Sequence, residues 1–458
     1  MVSRRFDAII VGAGQAGPPL AGRLTGAGQS VALIERKFFG GTCVNTGCMP
    51  TKTLVASARA AHMARRAADF GVMLKGEVGI DMAKVKSRAD TVIANARHNV
   101  RSWLGGMDGC TVIEGHAQFE DAQTLRVGEE TLSAPRIFLN VGGRAAVPDD
   151  MPGLRDIAYL TNTSALGLDR VPAHLLIVGG SYIGLEYAQM HRRFGARVTV
   201  VEKGPHLIGR EDADVSAAVR EILEGEGIEI RTSVADLVFA GAGEALAVTV
   251  DGERIACTHV LVAVGRVPNT GDLGLDRAGV ATDERGYITV DDDLRTSVPG
   301  IWALGDCNGR GAFTHTAYND YEIVAANLLD GEQRKLSERV SGYALYIDPP
   351  LGRVGINEAQ ARQRGRPFLV GKRPMGRVGR AVERDETQGF MKIIIDAETK
   401  AILGAAILGI EGDEAIHGII DMMSVGATAT QLQRTVPIHP TVSELIPTLV
   451  AEARAPDS

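Results

Sequence analysis

Two segments of the 458-residue chain repeat one pattern, and this duplication is the feature that most constrains the fold. Each segment has an apolar strand, a glycine-rich turn and a helix, followed by a second strand that ends in a glutamate. The first runs from Asp7 to Glu35 and the second from Leu175 to Glu202. This order is typical of the βαβ unit that binds dinucleotides. The sequence therefore predicts two dinucleotide-binding domains.

The first turn carries Gly12, Gly14 and Gly17 in the spacing G-x-G-x-x-G. The first glycine permits a tight turn, the second lets the backbone approach a pyrophosphate, and the third lets helix and strand pack closely. Phosphates then lie at a helix N-terminus, where free N–H groups and the helix dipole favour negative charge. Glu35 follows at the position from which a carboxylate accepts hydrogen bonds from a ribose. A purely structural turn is the alternative interpretation.

The second turn carries Gly179, Ser181 and Gly184, so that serine replaces the middle glycine. Serine is small enough to keep the close approach of the backbone. Glu202 stands where a ribose-binding acid is expected and would repel a 2′-phosphate, which favours NADH over NADPH. Lys203 beside it weakens this inference, and a solvated strand end remains the alternative.

Cys43 and Cys48 are separated by four residues at the start of a predicted helix. The helix N-terminus and Lys52, one turn further on, would both favour a thiolate. A structural pair of thiols and half of a metal site are the alternatives. A metal site needs further ligands, and the sequence has no second Cys/His pair to supply them, so we predict no metal.

The remaining pattern predicts helices near residues 51–70, 82–104 and 414–424, and a change to α+β texture from about residue 341. The contents of 45% apolar and 23% charged residues are those of a soluble globular protein. The net charge of −7 gives no sign of a nucleic-acid partner, and no apolar run approaches the roughly 18 residues of a membrane span. Five scattered cysteines favour a cytoplasmic location with a catalytic disulfide.

Together these motifs resemble the pyridine nucleotide–disulfide oxidoreductases, which include dihydrolipoamide dehydrogenase, glutathione reductase and mercuric reductase. The main resemblance is the run from Gly40 to Lys52, which contains both cysteines and follows the first glycine turn. Four later segments continue it along nearly the whole chain: Asn140–Gly143, Gly265–Asn269, Ile301–Asp306 and His439–Glu444.

The resemblance implies FAD and NAD(H) as cofactors, with NADPH less favoured. Cys43 would be the interchange thiol, Cys48 the thiolate against the flavin, and His439 the acid–base, oriented by Glu444. Lys52 and Glu186 would form an ion pair near the flavin, and Tyr182 would cover its nicotinamide side. The residues implied in FAD binding are Gly12, Gly14, Gly17, Glu35, Thr42, Lys52, Gly142 and Asp306; those implied in nicotinamide nucleotide binding are Gly179, Ser181, Tyr182, Gly184, Glu202 and Gly265.

The implied fold class is α/β, with two Rossmann-like domains and a C-terminal α+β dimerisation domain. The FAD domain would comprise residues 1–145 and 271–338, the NAD(P) domain residues 146–270, and the dimerisation domain residues 339–458. In the family the acid–base histidine comes from the other subunit. The resemblance therefore implies a homodimer with a shared active site and no membrane or nucleic-acid partner.

The disulfide motif and the segment Asp348–Gly355 are nearest the mercuric-reductase-like and reactive-chlorine-response branch. Mercuric reductases carry a C-terminal cysteine pair that delivers the metal, and this chain has no cysteine after Cys307. Glutathione reductase is disfavoured because Glu202 stands where an arginine pair would bind NADPH. We expect a small disulfide or oxidant as acceptor. The alternatives are dihydrolipoamide dehydrogenase, a mercuric or other metal-ion reductase, and a non-catalytic flavin-binding redox sensor.

Overall fold

A computed structural model describes residues 2–456. Its amino-terminal part comprises β1 (Val2–Arg5), β2 (Ala8–Val11), α1 (Gly17–Gly26), β3 (Val31–Glu35), α2 (Gly41–Asn45), α3 (Cys48–Arg65), α4 (Met82–Gly105), β4 (Cys110–Glu114), β5 (Ala117–Asp121), β6 (Thr124–Val127), β7 (Glu130–Ser133), β8 (Ile137–Leu139) and β9 (Gly143–Ala145).

The central part comprises β10 (Tyr159–Leu160), α5 (Asn162–Ala165), β11 (His174–Val178), α6 (Tyr182–Phe194), β12 (Arg197–Val201), α7 (Ala213–Gly225), β13 (Glu229–Arg231), β14 (Leu237–Ala242), β15 (Ala245–Val250), β16 (Glu253–Cys257), β17 (His259–Val262) and β18 (Arg266–Pro268). After it follow α8 (Leu275–Ala278), β19 (Ile301–Ala303) and α9 (Thr314–Ala325).

The carboxy-terminal part comprises β20 (Gly342–Leu345), β21 (Leu351–Gly355), α10 (Glu358–Gln363), β22 (Phe368–Pro374), α11 (Gly379–Glu383), β23 (Phe390–Asp396), β24 (Ile402–Leu408), α12 (Gly412–Ala415), α13 (His417–Ser424), α14 (Ala429–Gln433) and α15 (Ile446–Ala451).

Two five-stranded sheets are parallel throughout. The first has the order β19-β8-β2-β3-β4, and the second has the order β10-β17-β11-β12-β13. Strands β2 and β11 are buried along their whole length. Continuous apolar strands of this kind suit a parallel sheet that is covered on both faces. The predicted duplication and the α/β fold class are confirmed.

The first sheet is assembled from two distant parts of the chain, because β19 pairs with β8 in parallel register. Between these parts lies the second sheet, and the antiparallel ribbon of β9 and β18 joins its two ends to the first sheet. The residues after the ribbon thus return to the amino-terminal sheet. The second sheet is therefore inserted into the part of the chain that forms the first sheet.

The carboxy-terminal part forms one antiparallel sheet of order β20-β21-β24-β23-β22, covered by helices that include α13 and α15. Strand β23 is buried along its length, and Met391, Ile393 and Ile395 belong to the core of this part. The expected α+β texture after residue 341 is therefore present.

The structure differs from the predicted elements in detail. The first long helix begins at Cys48 and ends at Arg65, and a separate 3-10 turn covers Ala67–Phe70. The helix expected over 414–424 is divided into α12 and α13. The sheet of β1, β7, β6 and β5 has no counterpart in the prediction, because short half-buried strands give a weak alternating pattern.

Candidate active site

The two cysteines of the C-x4-C motif lie at the beginning of α3. Cys43 belongs to α2 and is half-buried, whereas Cys48 is the first residue of α3 and is exposed. A Cβ on Gly41 would come within 2.8 Å of Gly14 Cα, so the dithiol loop packs directly on the first glycine turn. No S–S bond joins the two cysteines in this structure.

The two cysteine thiols differ in pKa, and the difference favours the proton on Cys43. A hydrogen bond from the Cys43 thiol, assisted by the Thr314 hydroxyl and the Lys52 ammonium, lowers the pKa of Cys48 to about 6, although burial opposes this shift. The same hydrogen bond, together with burial, raises the pKa of Cys43 far above its ordinary value. Thr314 Oγ1 lies 3.4 Å from Cys48 Sγ. The surroundings therefore favour the thiolate at Cys48 and the protonated thiol at Cys43.

Lys52 forms an ion pair with Glu186 across the boundary between the first and second domains. Lys52 Nζ lies 2.7 Å from Glu186 Oε2, and the Glu186 side chain is 2% exposed. The other carboxylate oxygen accepts a hydrogen bond of 3.0 Å from the Tyr346 amide, and the Tyr346 ring lies 4.4 Å from Lys52 Nζ. Residues of three domains thus hold one buried carboxylate beside the dithiol, and the expected ion pair is present.

The two glycine turns have the same backbone geometry. Gly12 and Gly179 adopt φ values of +109° and +114°. A Cβ on Gly12 would lie 2.3 Å from the Asn140 carbonyl oxygen, and a Cβ on Gly179 would lie 2.5 Å from the Ala263 carbonyl oxygen. A Cβ on Gly17 or Gly184 would lie 2.2 Å and 2.1 Å from the carbonyl oxygen of the first glycine of its own turn. Only glycine fits at these four positions.

The glutamates at the ends of β3 and β12 are held in equivalent ways. Glu35 accepts hydrogen bonds from the amides of Ala13 (2.9 Å) and Lys37 (2.8 Å). Glu202 accepts from the amides of Gly180 (2.6 Å) and Gly204 (2.7 Å). Two hydrogen bonds from backbone amides therefore fix each carboxylate beside its glycine turn. Ser181 lies exposed at the N-cap of α6, while Lys203 is exposed beside Glu202.

Asp306 lines a cavity of about 380 Å³ between the first and second domains. Asp306 Oδ2 lies 3.2 Å from the Arg266 guanidinium, which also donates to the Gly143 carbonyl at 2.7 Å. Gly142 and Gly265 nearby have positive φ values, and no atom lies within 4 Å of a Cβ built on either. Open space therefore faces the backbone at both positions.

Three further arginines line the same cavity, and the sequence analysis did not identify them: Arg210, Arg285 and Arg310. The other acid in the lining, Asp283, accepts hydrogen bonds from the amides of Arg285 and Tyr287. The lining therefore carries four guanidinium groups against two carboxylates. This excess of positive charge suits an anionic ligand such as a diphosphate.

Tyr182 is the first residue of α6 and packs against Phe313, with the ring centroids 5.8 Å apart. Phe313 is in turn stacked between His315 and Tyr343, at centroid distances of 5.4 Å and 5.7 Å. The aromatic row thus connects the second domain, the first domain and the carboxy-terminal domain. Thr42 lies in α2, half-buried next to Cys43.

His439 and Glu444 form a hydrogen-bonded pair in the carboxy-terminal domain. His439 Nδ1 donates to Glu444 Oε2 at 2.8 Å, which leaves Nε2 free to exchange a proton. The His439 side chain is 81% exposed and Glu444 only 11%. Within the described residues of one chain, no hydrogen bond or ion pair joins His439 to either Cys43 or Cys48.

The structure places the dithiol, the first glycine turn and the Lys52–Glu186 pair together, whereas the His439–Glu444 pair contacts neither cysteine within the described part of one chain. Thr314, Tyr346 and Phe313 contact the predicted residues and were missed, because they lie far from them in the sequence and belong to no recognised motif. Across residues 2–456, no group of three or more metal-ligating side chains is found, and no helix is long and apolar enough to cross a membrane.

Comparison with known families agrees with this architecture. Residues 6–320 match the model described as "Pyridine nucleotide-disulphide oxidoreductase". Residues 342–450 match the dimerisation domain of the same family. The two matches cover the part of the chain that holds every predicted site residue.

Curated relatives resemble the chain over nearly its full length. The "Probable pyridine nucleotide-disulfide oxidoreductase RclA" of Escherichia coli (strain K12) is 34% identical over 96% of this chain and 97% of its own. A mercuric reductase of Streptomyces lividans is 34% identical over 96% and 94%, and a dihydrolipoyl dehydrogenase of Thermus scotoductus is 33% identical over 96% of each. The solved structure "Cu(II) complex of HOCl-induced flavoprotein disulfide reductase RclA from Escherichia coli" has a TM-score of 0.89 at 33% identity, covering 98% of this chain and 99% of that one.

Proposed function

Because the chain belongs to the pyridine nucleotide-disulphide oxidoreductase family, we propose that it passes electrons from NADH through FAD to Cys43–Cys48 and on to a small disulfide or oxidant. The family depends on FAD and a pyridine nucleotide. The observation that carries the proposal is the placement of Cys48 beside Thr314 and the Lys52–Glu186 ion pair, surroundings that lower the pKa of Cys48. A structural pair of thiols has no need of a lowered pKa.

The residues present fit FAD. The first glycine turn leaves no room for a Cβ, and Glu35 lies at its mouth, as an adenosine ribose and a pyrophosphate require. Gly142 faces open space, and Asp306 lines the adjoining cavity. We assign Gly12, Gly14, Gly17, Glu35, Thr42, Lys52, Gly142 and Asp306 to FAD. When bound, this cofactor accepts two electrons from the nicotinamide and delivers them to the disulfide.

The second turn is assigned to the nicotinamide nucleotide, with Gly179, Ser181, Tyr182, Gly184, Glu202 and Gly265 as its binding residues. Glu202 is fixed by two amides and cannot turn away from an incoming adenosine ribose. Its charge favours a free 2′-hydroxyl over a 2′-phosphate, so NADH is the proposed donor. The arginines of the neighbouring cavity supply positive charge for the diphosphate.

The thiol chemistry follows from the position of the proton. Cys43 is protonated in the reduced pair, so it needs a base before it attacks a substrate disulfide. His439 accepts this proton as the Cys43 sulfur bonds to one substrate sulfur, and returns it to the departing thiolate. The Cys48 thiolate then attacks the Cys43 sulfur, displaces the second thiolate and closes the Cys43–Cys48 disulfide. One NADH and one proton from solvent balance the two thiols released.

His439 is proposed to act on the cysteines of the partner subunit in a homodimer. Its imidazole is turned outward and lies beside Ile438 and near Val436, which are 80% and 94% exposed. Apolar side chains exposed to this degree around a histidine pair suit a surface that a second subunit covers. The match to a dimerisation domain supports this assignment.

The acceptor is proposed to be a small disulfide or another oxidant of low molecular mass. The similar HOCl-induced flavoprotein disulfide reductase RclA of Escherichia coli has been solved as a Cu(II) complex, so Cu(II) is a second candidate acceptor. Lipoamide stays a candidate because the histidine pair is present.

The testing experiment has two stages. The purified flavoprotein is first titrated anaerobically with NADH, and about one equivalent should convert the disulfide to the dithiol with a long-wavelength absorbance. The reduced protein is then offered lipoamide, glutathione disulfide, an aromatic disulfide, Cu(II), Hg(II), quinones and oxygen. Reoxidation by at least one disulfide supports the proposal. A protein that NADH reduces but that no member of the panel reoxidises is a redox sensor instead.

A further inference from the structure

The loop that carries His439 is tied to the rest of its own chain by one arginine. The loop lies between α14 and the 3-10 turn Ser443–Leu445. Arg380 Nη2 donates a hydrogen bond of 2.6 Å to the Pro440 carbonyl oxygen. Among residues 2–456, this is the one hydrogen bond that reaches a backbone group of residues 436–441 from outside the loop.

Arg380 is itself held in place. It lies on the short helix α11, whose neighbouring residues Val378 and Ala381 are fully buried in the carboxy-terminal core. Its Nε lies 3.2 Å from Glu383 Oε2, and about two thirds of its side chain is shielded from solvent. Nε makes no hydrogen bond, so the guanidinium is oriented by its bond to the Pro440 carbonyl and by the partial burial of the side chain.

The helix α11 also contacts the other end of the histidine pair. Glu444 Oε1 lies 3.8 Å from the position that a Cβ on Gly379 would occupy. Adjacent residues of α11 therefore lie near the Glu444 carboxylate and bond to the Pro440 carbonyl, two groups that follow His439 in the chain. The same short helix, α11, therefore lies close to the Glu444 carboxylate and is hydrogen-bonded to the loop backbone at Pro440.

We propose that Arg380 is a positioning residue for His439: its guanidinium fixes the loop so that the imidazole meets the partner's dithiol in a reactive geometry. This rests on the proposed function. The Glu444 hydrogen bond sets the orientation of the ring, but it does not set the position of the exposed backbone that carries it. A displacement of about 1 Å in a reacting group costs up to about 100-fold in rate. Arg380 would therefore act on the disulfide half-reaction alone.

The test uses the full-length FAD-loaded protein and its variants Arg380→Gln, Arg380→Lys and Arg384→Gln. Arg384 caps the same helix and is exposed, so it serves as the matched control. The NADH-reduced protein is mixed with dithiobis(nitrobenzoic acid), and the release of coloured thiol is followed by stopped flow. We expect Arg380→Gln to be slower by roughly 10- to 100-fold, Arg380→Lys to recover much of the rate, and Arg384→Gln to match the wild type. Flavin reduction by NADH should be unchanged in all three.

A double-variant cycle separates positioning from a general structural role. If Arg380 acts through His439, adding Arg380→Gln to His439→Ala should cause no further loss. A full additional loss in that background, or an equal slowing of flavin reduction, would overturn the proposal. Should Arg380→Gln fail to fold, Arg380→Met takes its place in the cycle. A wild-type protein that NADH reduces but no disulfide reoxidises would contradict the proposed function itself.

Discussion

Lys52 Nζ lies 2.7 Å from Glu186 Oε2, so the helix that begins at Cys48 is joined by an ion pair to the helix that begins at Tyr182. The first helix begins at the second cysteine of the dithiol, and the second follows the glycine turn that is proposed to bind the nicotinamide nucleotide. This ion pair therefore joins the helix at the dithiol to the helix of the proposed nicotinamide-binding domain.

Replacing Glu186 by glutamine should slow flavin reduction by NADH by roughly 10-fold or more, because Lys52 would lose its buried counter-charge beside the reacting centre. The measurement is stopped-flow reduction under anaerobic conditions. Asp90→Asn is the control, since it breaks the exposed Lys86–Asp90 pair, which contributes little. An unchanged reduction rate in Glu186→Gln would exclude a role for the ion pair in this step.

The Cys48 thiolate should be visible in Cys43→Ser, in which the serine hydroxyl can still donate to the sulfur. A lowered pKa of about 6 means that the thiolate is present above that pH and is lost as the pH falls through it. A long-wavelength thiolate–flavin absorbance should therefore disappear on acidification with a midpoint near pH 6. Cys48→Ser should show no such band. A band in Cys48→Ser and none in Cys43→Ser would invert the roles of the two cysteines.

Thr314 should help to keep the pKa of Cys48 low, because its hydroxyl lies 3.4 Å from Cys48 Sγ and stabilises the thiolate. Thr314→Val removes the donor while keeping the shape, so the midpoint of the absorbance titration in the Cys43→Ser background should move to higher pH. Thr314→Ser keeps the hydroxyl and should leave the midpoint nearly in place. Equal midpoints for the valine and serine variants would show that the hydroxyl does not stabilise the thiolate.

The shared active site predicts complementation between two inactive variants. Cys43→Ser and His439→Ala should each abolish or slow disulfide turnover by roughly 100-fold or more, the usual scale for an acid–base group. A heterodimer of the two has one site with both defects and one with neither. Mixing under conditions of subunit exchange should restore about half of the wild-type activity per heterodimer. No recovery, with heterodimers demonstrated by mass, would place the histidine and cysteines of one site in a single chain.

Glu202 should set the preference for the nicotinamide nucleotide. The wild type is expected to show a higher kcat/KM for NADH than for NADPH, because the fixed carboxylate repels a 2′-phosphate. Glu202→Gln should reduce that ratio mainly by improving the KM for NADPH, and Lys203→Gln should not. A wild-type preference for NADPH would refute this assignment of Glu202.

The sequence by itself determined the duplicated βαβ architecture and the elements that carry the site. Gly12 and Gly179 could be identified because a strained turn accepts only glycine, and this constraint is local. The Cys43–Cys48 spacing and the acids at the strand ends are likewise short-range patterns, whereas the His439–Glu444 pair was implied only by the family resemblance. Helix limits were less certain: α3 begins at Cys48, earlier than the pattern predicted, since apolar periodicity marks the middle of a helix better than its ends.

Only the tertiary structure decided which distant groups act on those residues. Thr314 reaches Cys48 across 266 residues of sequence, the Tyr346 amide reaches Glu186 across 160, and Arg380 reaches Pro440 across 60. None of these partners belongs to a motif, because each is a common residue type whose role depends on which elements pack against each other. The sequence specifies local conformation through steric limits and periodicity, whereas proton location and side-chain orientation depend on contacts that exist only after the domains have assembled.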